Sequence, residues 1–405
     1  MSSSSTINKN DAANEKDLTA MLDKMSDTKG LANLSDATED WTDVKHSERK
    51  KRDRILADGV VLKLMQKSDY QGFKRLFENL GIMAVTAYVI RRLEVFPLTM
   101  NVLADWHKMA IFVPLYLFYG FQFQAFAFAG QHEFLHGNAF KTKRYNDYVL
   151  FIFSCVCFEF GTHERLMHKQ HHTFTNNIDK DPELTSYFSR EELETPGFRN
   201  VPLGRYAYFK QFLDVWSTWS CRVLRIVNTA RGIPVDYSGR GWSMQTEPYS
   251  PESGLMQSLQ KAARRQLLVY ALVFGIFGLM KEGFAALAFW WLVPVIIGYP
   301  AVNYVRNLEH ADCEVSKEMN CLKNTRTVES TWLVRQLLWD TNFHVEHHAY
   351  PMVPFFNLHK LHELMDGHIE HNETKSFTAQ NWACARPGGW IDQQASFAEE
   401  HAKAS

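Results

Sequence analysis

From Met109 to Gly130 the chain is almost wholly apolar and carries no formally charged side chain. Such a run slightly exceeds the roughly 20 residues that a helix needs to cross about 30 Å of hydrocarbon. Lipid offers no partner to backbone amides and carbonyls, so the run must satisfy them internally, as a helix does. Three other blocks follow the same logic. Phe284 to Val302, rich in Trp, Leu, Ile and Val, is uncharged, and Leu267 to Met280 is a shorter block just before it. Lys281, Glu282 and Gly283 separate these two, which reads as a helical hairpin with a tight turn, its first helix reaching back toward Arg265 to gain length. Leu80 to Ile90 stops at Arg91 and Arg92, and it crosses only if the helix continues toward Leu98 with those arginines neutralised or snorkelling. The expectation is an all-α, polytopic membrane protein with about four transmembrane helices, near residues 79–98, 109–130, 266–280 and 284–302. The competing reading of each block is a buried helix of a soluble core.

Charge distribution orients this arrangement. Lys45, Arg49, Lys50, Lys51, Arg52 and Arg54 precede the first block, which puts the amino terminus in the cytoplasm by the positive-inside tendency. Four crossings return the carboxyl terminus to that side, and the long segment from Gln131 to Arg265 is then cytoplasmic as well. The net charge of −1 does not by itself select a partner, and no nucleic-acid partner is expected. Residues 1–44 open on a serine run, lack an apolar signal core and read as a disordered tail; residues 45–375 form the membrane-embedded catalytic domain, and 376–405 a carboxyl-terminal tail. Six cysteines without a C-x-x-C pair argue against a disulfide framework and against a cysteine zinc site.

Histidine spacing carries the chemistry. Three clusters recur, His132/His136, His168/His171/His172 and His344/His347/His348, and two of them share the pattern H-x-x-H-H. On a helix, positions i, i+3 and i+4 lie on one side, so each cluster can aim its imidazoles at a common point. Eight such histidines exceed the four positions of a tetrahedral zinc site, which points to two metal ions. The expected last crossing helix runs out through Asn307, Glu309 and His310, and His310 becomes a ninth candidate ligand. Glu133, Glu164, Asp340 and Glu346 adjoin the clusters and are candidates to hold the second ring nitrogens, as metal-bound histidines usually require. The third cluster is expected on a helix running from Trp339 to His348 and ended by Pro351 and Pro354.

This pattern resembles the membrane-bound fatty acid desaturase and hydroxylase superfamily, with its three histidine boxes in order. Here they are His132-Glu-Phe-Leu-His136, His168-Lys-Gln-His171-His172 and His344-Val-Glu-His347-His348, with an apolar hairpin between the second and third. The resemblance covers roughly Leu80 to His362. It implies four transmembrane helices under a cytosolic helical cap, a di-iron centre at their junction and dioxygen as co-substrate. It also implies electrons from an external donor of cytochrome b5 or ferredoxin type, and, in a eukaryote, the endoplasmic reticulum membrane. His310 is similar to the family's extra histidine. Some members have an asparagine four residues before it, whereas this chain has Arg306 there and Asn307 three before, which makes Asn307 a further candidate near the metals. Asn324-Thr-Arg326-Thr with Trp339, Tyr350, Pro351 and Pro354 looks most like the hydrocarbon oxygenase and acyl-lipid branch.

The implied reaction is O2-dependent oxidation of an unactivated C–H bond of a lipid or hydrocarbon chain, giving desaturation or hydroxylation. No side chain supplies such an oxidant, so the chemistry belongs to a metal and dioxygen. No G-x-G-x-x-G fingerprint of a flavin or nicotinamide site is present, and Arg222, Arg225 and Arg231 are candidates to meet either an acidic electron-transfer protein or the membrane surface. Arg386-Pro-Gly-Gly389 lacks the histidine of a haem-binding H-P-G-G and reads as a loop. A rival is an integral-membrane zinc metallopeptidase, because His132-Glu133-x-x-His136 is an H-E-x-x-H motif. It leaves both H-x-x-H-H clusters without a role. A metal transporter or store would spread its ligands through the spans, and here they fall in the expected cytosolic segments.

Overall fold

The computed structural model describes residues 58–188, 190–194, 205–239, 254–315, 320–369 and 376–393, with Leu56, Phe198 and Thr374. Residues 1–44 and the basic cluster from Lys45 to Arg54 lie outside the described residues. Among the described residues the regular structure is helical, and one isolated bridge joins Val328 to Thr374. The helices that matter for the site are, in chain order, α1 (Asp69–Arg92), α2 (Trp106–Leu135), α3 (Lys143–Cys157), α4 (Gly161–Phe174) and α5 (Val215–Ala230). They continue with α6 (Gly254–Gly278), α7 (Gly283–Glu309), α8 (His344–Ala349) and α9 (Phe355–Met365).

Two of these helices, α2 with 30 residues and α7 with 27, are long and apolar enough to cross a membrane. The blocks at residues 79–98 and 266–280 also lie on long helices, but with other limits. α1 begins at Asp69, where the Ser68 hydroxyl accepts from the Gln71 amide, and it ends at Arg92 instead of continuing to Leu98. Glu94, in the left-handed region at φ 54°, turns the chain away. Arg91 and Arg92 therefore occupy the last turn, where cations complement the carbonyl end of the helix. α6 likewise extends back to Gly254.

The turn from α6 to α7 is as tight as Lys281-Glu282-Gly283 suggests. Glu282 is left-handed at φ 59°, and a Cβ on Gly283 would lie 1.9 Å from the Phe277 carbonyl oxygen. α2 and α7 pack together at a second such contact, where a Cβ on Gly298 would lie 2.0 Å from the Gly120 carbonyl oxygen. Just before that contact α7 loosens into a π-helical turn over Ala288–Leu292. The Tyr116 hydroxyl of α2 donates to the Phe289 carbonyl there (2.7 Å), and that of Tyr119 to the Trp290 carbonyl (3.2 Å). A π turn weakens the local backbone ladder, and these hydroxyls supply partners. α1 packs on the other side of α2, and α5 packs along α6.

α3 holds most of the apolar Tyr148 to Phe160 stretch, too short to cross, with Leu150, Phe153 and Cys157 turned into the core, and left-handed Phe158 ends it. The expected carboxyl-terminal tail is docked where it is described. The Tyr208 hydroxyl donates to Asn381 Oδ1 (2.5 Å), and Asn381 Nδ2 donates to the Tyr304 carbonyl (3.0 Å). Arg386 to Gly389 forms a loop, with Gly388 at φ 69°. None of the six cysteines is joined in a disulfide.

The glycine contact yields a paired test. Gly298→Ala forces α2 and α7 apart and should lower the detergent-solubilised melting point, at a cost of about 1–3 kcal/mol for overpacking. Gly275→Ala, where a Cβ meets nothing within 4 Å, should leave the melting point unchanged or raise it. Equal effects in the two variants would contradict the packing described.

Candidate metal centre

The three histidine clusters are carried by three different helix segments. α2 passes through a π-helical turn at Phe126–Gly130 immediately before Gln131 and His132, and His136 caps its end. Such a turn inserts a residue and rotates the next helical turn about the axis, so it sets the face on which the first cluster emerges. The second cluster lies in the last two turns of α4, and the third fills α8. α8 starts only at His344, five residues later than the expected start at Trp339, because Trp339 (φ 51°) and Asp340 (φ 55°) are both left-handed and break the helix. His310 comes directly after α7.

The nine imidazoles form two groups. His132, His136, His168, His172 and His347 make one, and His171, His310, His344 and His348 the other; within each, the candidate ligand atoms lie within 4.8 Å of one another. The expectation that each cluster points at one place therefore fails in an informative way. On α4 the i, i+4 pair His168/His172 joins the first group while His171 turns to the second. On α8 the pair His344/His348 joins the second group while His347 turns to the first. At 100° per residue, i and i+4 are about 40° apart, whereas i+3 lies about 100° from i+4, so an H-x-x-H-H helix serves two neighbouring points at once. Two such helices facing one another exchange one imidazole each. The groups adjoin, with the His172 and His348 rings stacked at a centroid distance of 4.1 Å.

Within the first group the ring nitrogens trace a closed circuit. Nε2 to Nε2 distances are 3.0 Å for His136–His168, 2.9 Å for His168–His172, 3.0 Å for His172–His347 and 3.1 Å for His347–His136. A square of that edge has corners about 2.1 Å from its centre, the length of a metal–imidazole bond. His132 adds a fifth ring, both of whose nitrogens are buried without a hydrogen-bond partner. In the second group the His344 and His310 Nε2 atoms are 3.0 Å apart, and His348 Nε2 is buried without a partner. Converging lone pairs and orphaned nitrogens are what a cation requires, and the donor set fits two metal ions.

Burial, and then the mutual repulsion of neighbouring imidazolium charges, holds His136, His168, His172, His344, His347 and His348 well below the usual histidine range. Burial with the charge of His171 lowers His310 to about 3. Neutral imidazole is the form that ligates a metal. His171 differs: burial lowers its pKa, but Asp181 and Glu183 outweigh it and lift the group to about 9. A cation at Nε2 competes with that proton.

The residues that hold the far ring nitrogens are mostly not the sequence neighbours of the ligands. His171 Nδ1 donates to Asp181 (3.0 Å), which also accepts from the Asn176 and Glu183 amides. His310 Nδ1 donates to the Asn324 carbonyl (3.0 Å), and Thr175 Oγ1 pairs with His348 Nδ1 (3.1 Å). Glu309 lies 3.5 Å from His344 Nδ1. Of the expected carboxylates, Glu133 stays near its histidine, 3.7 Å from His132 Nδ1, and also accepts from the Phe355 amide. Glu164 instead pairs with Arg225 (2.8 Å), and Asp340 with Arg75 (2.8 Å) and Arg335 (2.9 Å). Glu346 accepts from Thr327 (2.5 Å) and is engaged by His362, a histidine outside both groups. Asn307 donates to the Tyr208 hydroxyl (3.3 Å). These four are bound elsewhere: Glu346, directly beside His347, points about 100° away from it on the helix, whereas Glu164, Asp340 and Asn307 are taken up by Arg225, by Arg75 and Arg335, and by Tyr208. Arg222 and Arg225 are buried and share Glu159, so they are not a docking surface for a partner; Arg231 is exposed. The peptidase reading is not favoured, because Glu133 is fully buried behind its histidine and His132 and His136 share their group with three other imidazoles.

A cavity reaches the histidines between two helix faces. Ala127, Gln131 and Leu135 line it from α2, and Tyr299, Val302, Asn303 and Arg306 from α7. Glu159, Glu164, Glu183 and Arg222 close it, and His132, His168, His171, His310 and His344 border it.

Residues 106–376 match the family model described as fatty acid desaturase. A comparison with curated proteins found no match.

Position separates the acidic residues experimentally. Asp181→Asn should weaken metal binding by roughly 10- to 100-fold, as loss of a ligand's orienting partner does. Asp340→Asn should lower the melting point while leaving metal content intact. Metal titration and thermal unfolding of both variants read this out, and reversed effects would contradict the assignment.

Proposed function

The chain belongs to the fatty acid desaturase family, and on that premise we propose that it oxidises an unactivated C–H bond of a lipid or hydrocarbon chain with dioxygen, fatty-acyl desaturation being the principal reading and hydroxylation the other outcome of the same chemistry. The observation that carries this reading is the division of nine imidazoles into adjoining groups of five and four. Five nitrogen donors exceed what tetrahedral zinc uses, which favours iron in a site of higher coordination. When bound, two irons supply the redox power to reduce dioxygen and remove hydrogen from an alkyl carbon, which no side chain provides. Electrons come from a separate protein of cytochrome b5 or ferredoxin type.

The chain's own residues hold and insulate the centre. Asp181 keeps the His171 proton on Nδ1, which leaves the Nε2 lone pair free, and the Asn324 carbonyl does the same for His310. Burial of His168, His344, His347 and His348 excludes bulk water and favours their neutral form. The cavity between α2 and α7 brings a substrate chain to His132 and His344.

In this reading α1 and α6 also cross the bilayer, giving four spans with both termini and the site on the cytoplasmic side. Support comes from exposed apolar stripes at helical spacing, such as Leu268, Leu272 and Ile276 on α6 and Val85, Tyr88 and Val89 on α1. α4, α5 and α8 form the cap.

The test is lipid mass spectrometry of a host with and without the expressed protein. Loss of two hydrogens indicates desaturation, and gain of one oxygen indicates hydroxylation. His171→Ala and His347→Ala, one from each group, should abolish either product and lower bound iron while the protein stays in the membrane. Full turnover in either variant would overturn the proposal.

A further inference from the structure

Gln131 is 1% exposed and lines the cavity, and neither its Oε1 nor its Nε2 has a hydrogen-bond partner. A buried amide left in this state costs free energy that a protein normally avoids. On the α2 wall of the cavity Gln131 lies among Ala127, Phe128 and Leu135, with His132 beside it, and its amide is the one polar group of that wall that is not an imidazole. Across the slot, Tyr299, Val302, Asn303 and Arg306 fall at i, i+3, i+4 and i+7 on α7, and polar groups occupy the end of that stripe nearest the histidines. A slot shaped only for methylenes has no use for such an amide.

Resting on the reading of this cavity as the substrate site, we propose that Gln131 is a specificity-determining residue and that the substrate is a chain bearing a hydroxyl group close to the oxidised carbon. A hydroxyl accepts from Nε2 or donates to Oε1, whereas a methylene can do neither. Gln131 lines the same cavity as His132, His168 and His344. The recognised oxygen therefore lies within a few bonds of the carbon presented to the metals, not at a distant headgroup. Ala127, Leu135 and Val302 hold the apolar remainder.

The probes are dodecane and 1-dodecanol, matched in carbon count and differing in one hydroxyl. Binding to the full-length, metal-loaded protein in detergent is measured by titration calorimetry, corrected for partition into protein-free micelles. The wild type should bind the alcohol about tenfold more tightly, toward the low end of what one satisfied buried amide contributes. Gln131→Leu and Gln131→Met should lose that discrimination with metal content unchanged. Equal binding of the two probes by the wild type, absence of binding by both, or discrimination that persists in the two variants would overturn the proposal, the last outcome meaning that the amide holds water instead. Metal content and oxidised product are measured on the same preparations. Preserved discrimination in a protein that oxidises no lipid or alkane would sink the oxygenase reading and leave Gln131 as a hydroxyl-recognising residue.

Discussion

Imidazole lone pairs packed at 3 Å from one another inside a protein repel unless a proton or a cation lies between them. That constraint governs this fold. A proton can serve one pair, but the circuit of four Nε2 atoms around His136, His168, His172 and His347, with His132 beside it, asks for a single positive charge at its centre. Holding nine such rings together costs side-chain freedom and desolvation. The surrounding structure offsets this by fixing the segments that carry them. Asp181 ties α4 to the start of the helix after it, and Glu346 ties α8 to Thr327 and to His362 on α9. Asp340, held by Arg75 and Arg335, joins the turn before α8 to α1. Arg225 bridges α5 to Glu159 and Glu164, and so clamps the start of α4. Breaking one side of such buried pairs is costly because it strands a charge.

The exchange of imidazoles between α4 and α8 makes the two groups one object. Each H-x-x-H-H helix contributes two rings to one group and one to the other, so rotating either helix disturbs both. A change that releases one ion should therefore loosen the second. The π turn before His132 belongs to the same design: it alters the helical phase between the lower part of α2, packed on α7 through Gly120, and the upper part that faces the histidines. One continuous helix thereby serves the helix-packing contact and the site.

Much of this is legible in the sequence, for identifiable reasons. Uncharged apolar length locates the cores of the four long helices, histidine spacing picks out eight members of the two groups, and His310 is found from its place at the end of the last apolar helix. The limits of α1 are not legible from hydropathy, because the Ser68 cap and the left-handed Glu94 are local backbone features. The late start of α8 has the same origin in Trp339 and Asp340. The carboxylates fail most instructively. Glu164, Asp340 and Glu346 lie close to ligands along the chain, yet Arg225, the pair Arg75 and Arg335, and Thr327 with His362 claim them, and the partners come from Asp181, ten residues beyond His171, and Thr175, far in sequence from His348. The signal for Asp181 is its place ahead of Pro182, an N-cap before a proline, which marks a helix start whose carboxylate faces back toward α4.

Two adjoining groups of five and four imidazoles are the proposed centre on which the chemistry depends. Elemental analysis of the full chain purified after growth in iron-replete medium, paired with X-ray absorption spectroscopy at the iron edge, measures both the number and the surroundings of the bound ions. The expected result is about two irons per chain in nitrogen-rich surroundings, one ion for each histidine group. A single zinc per chain, or active protein free of iron, would contradict it.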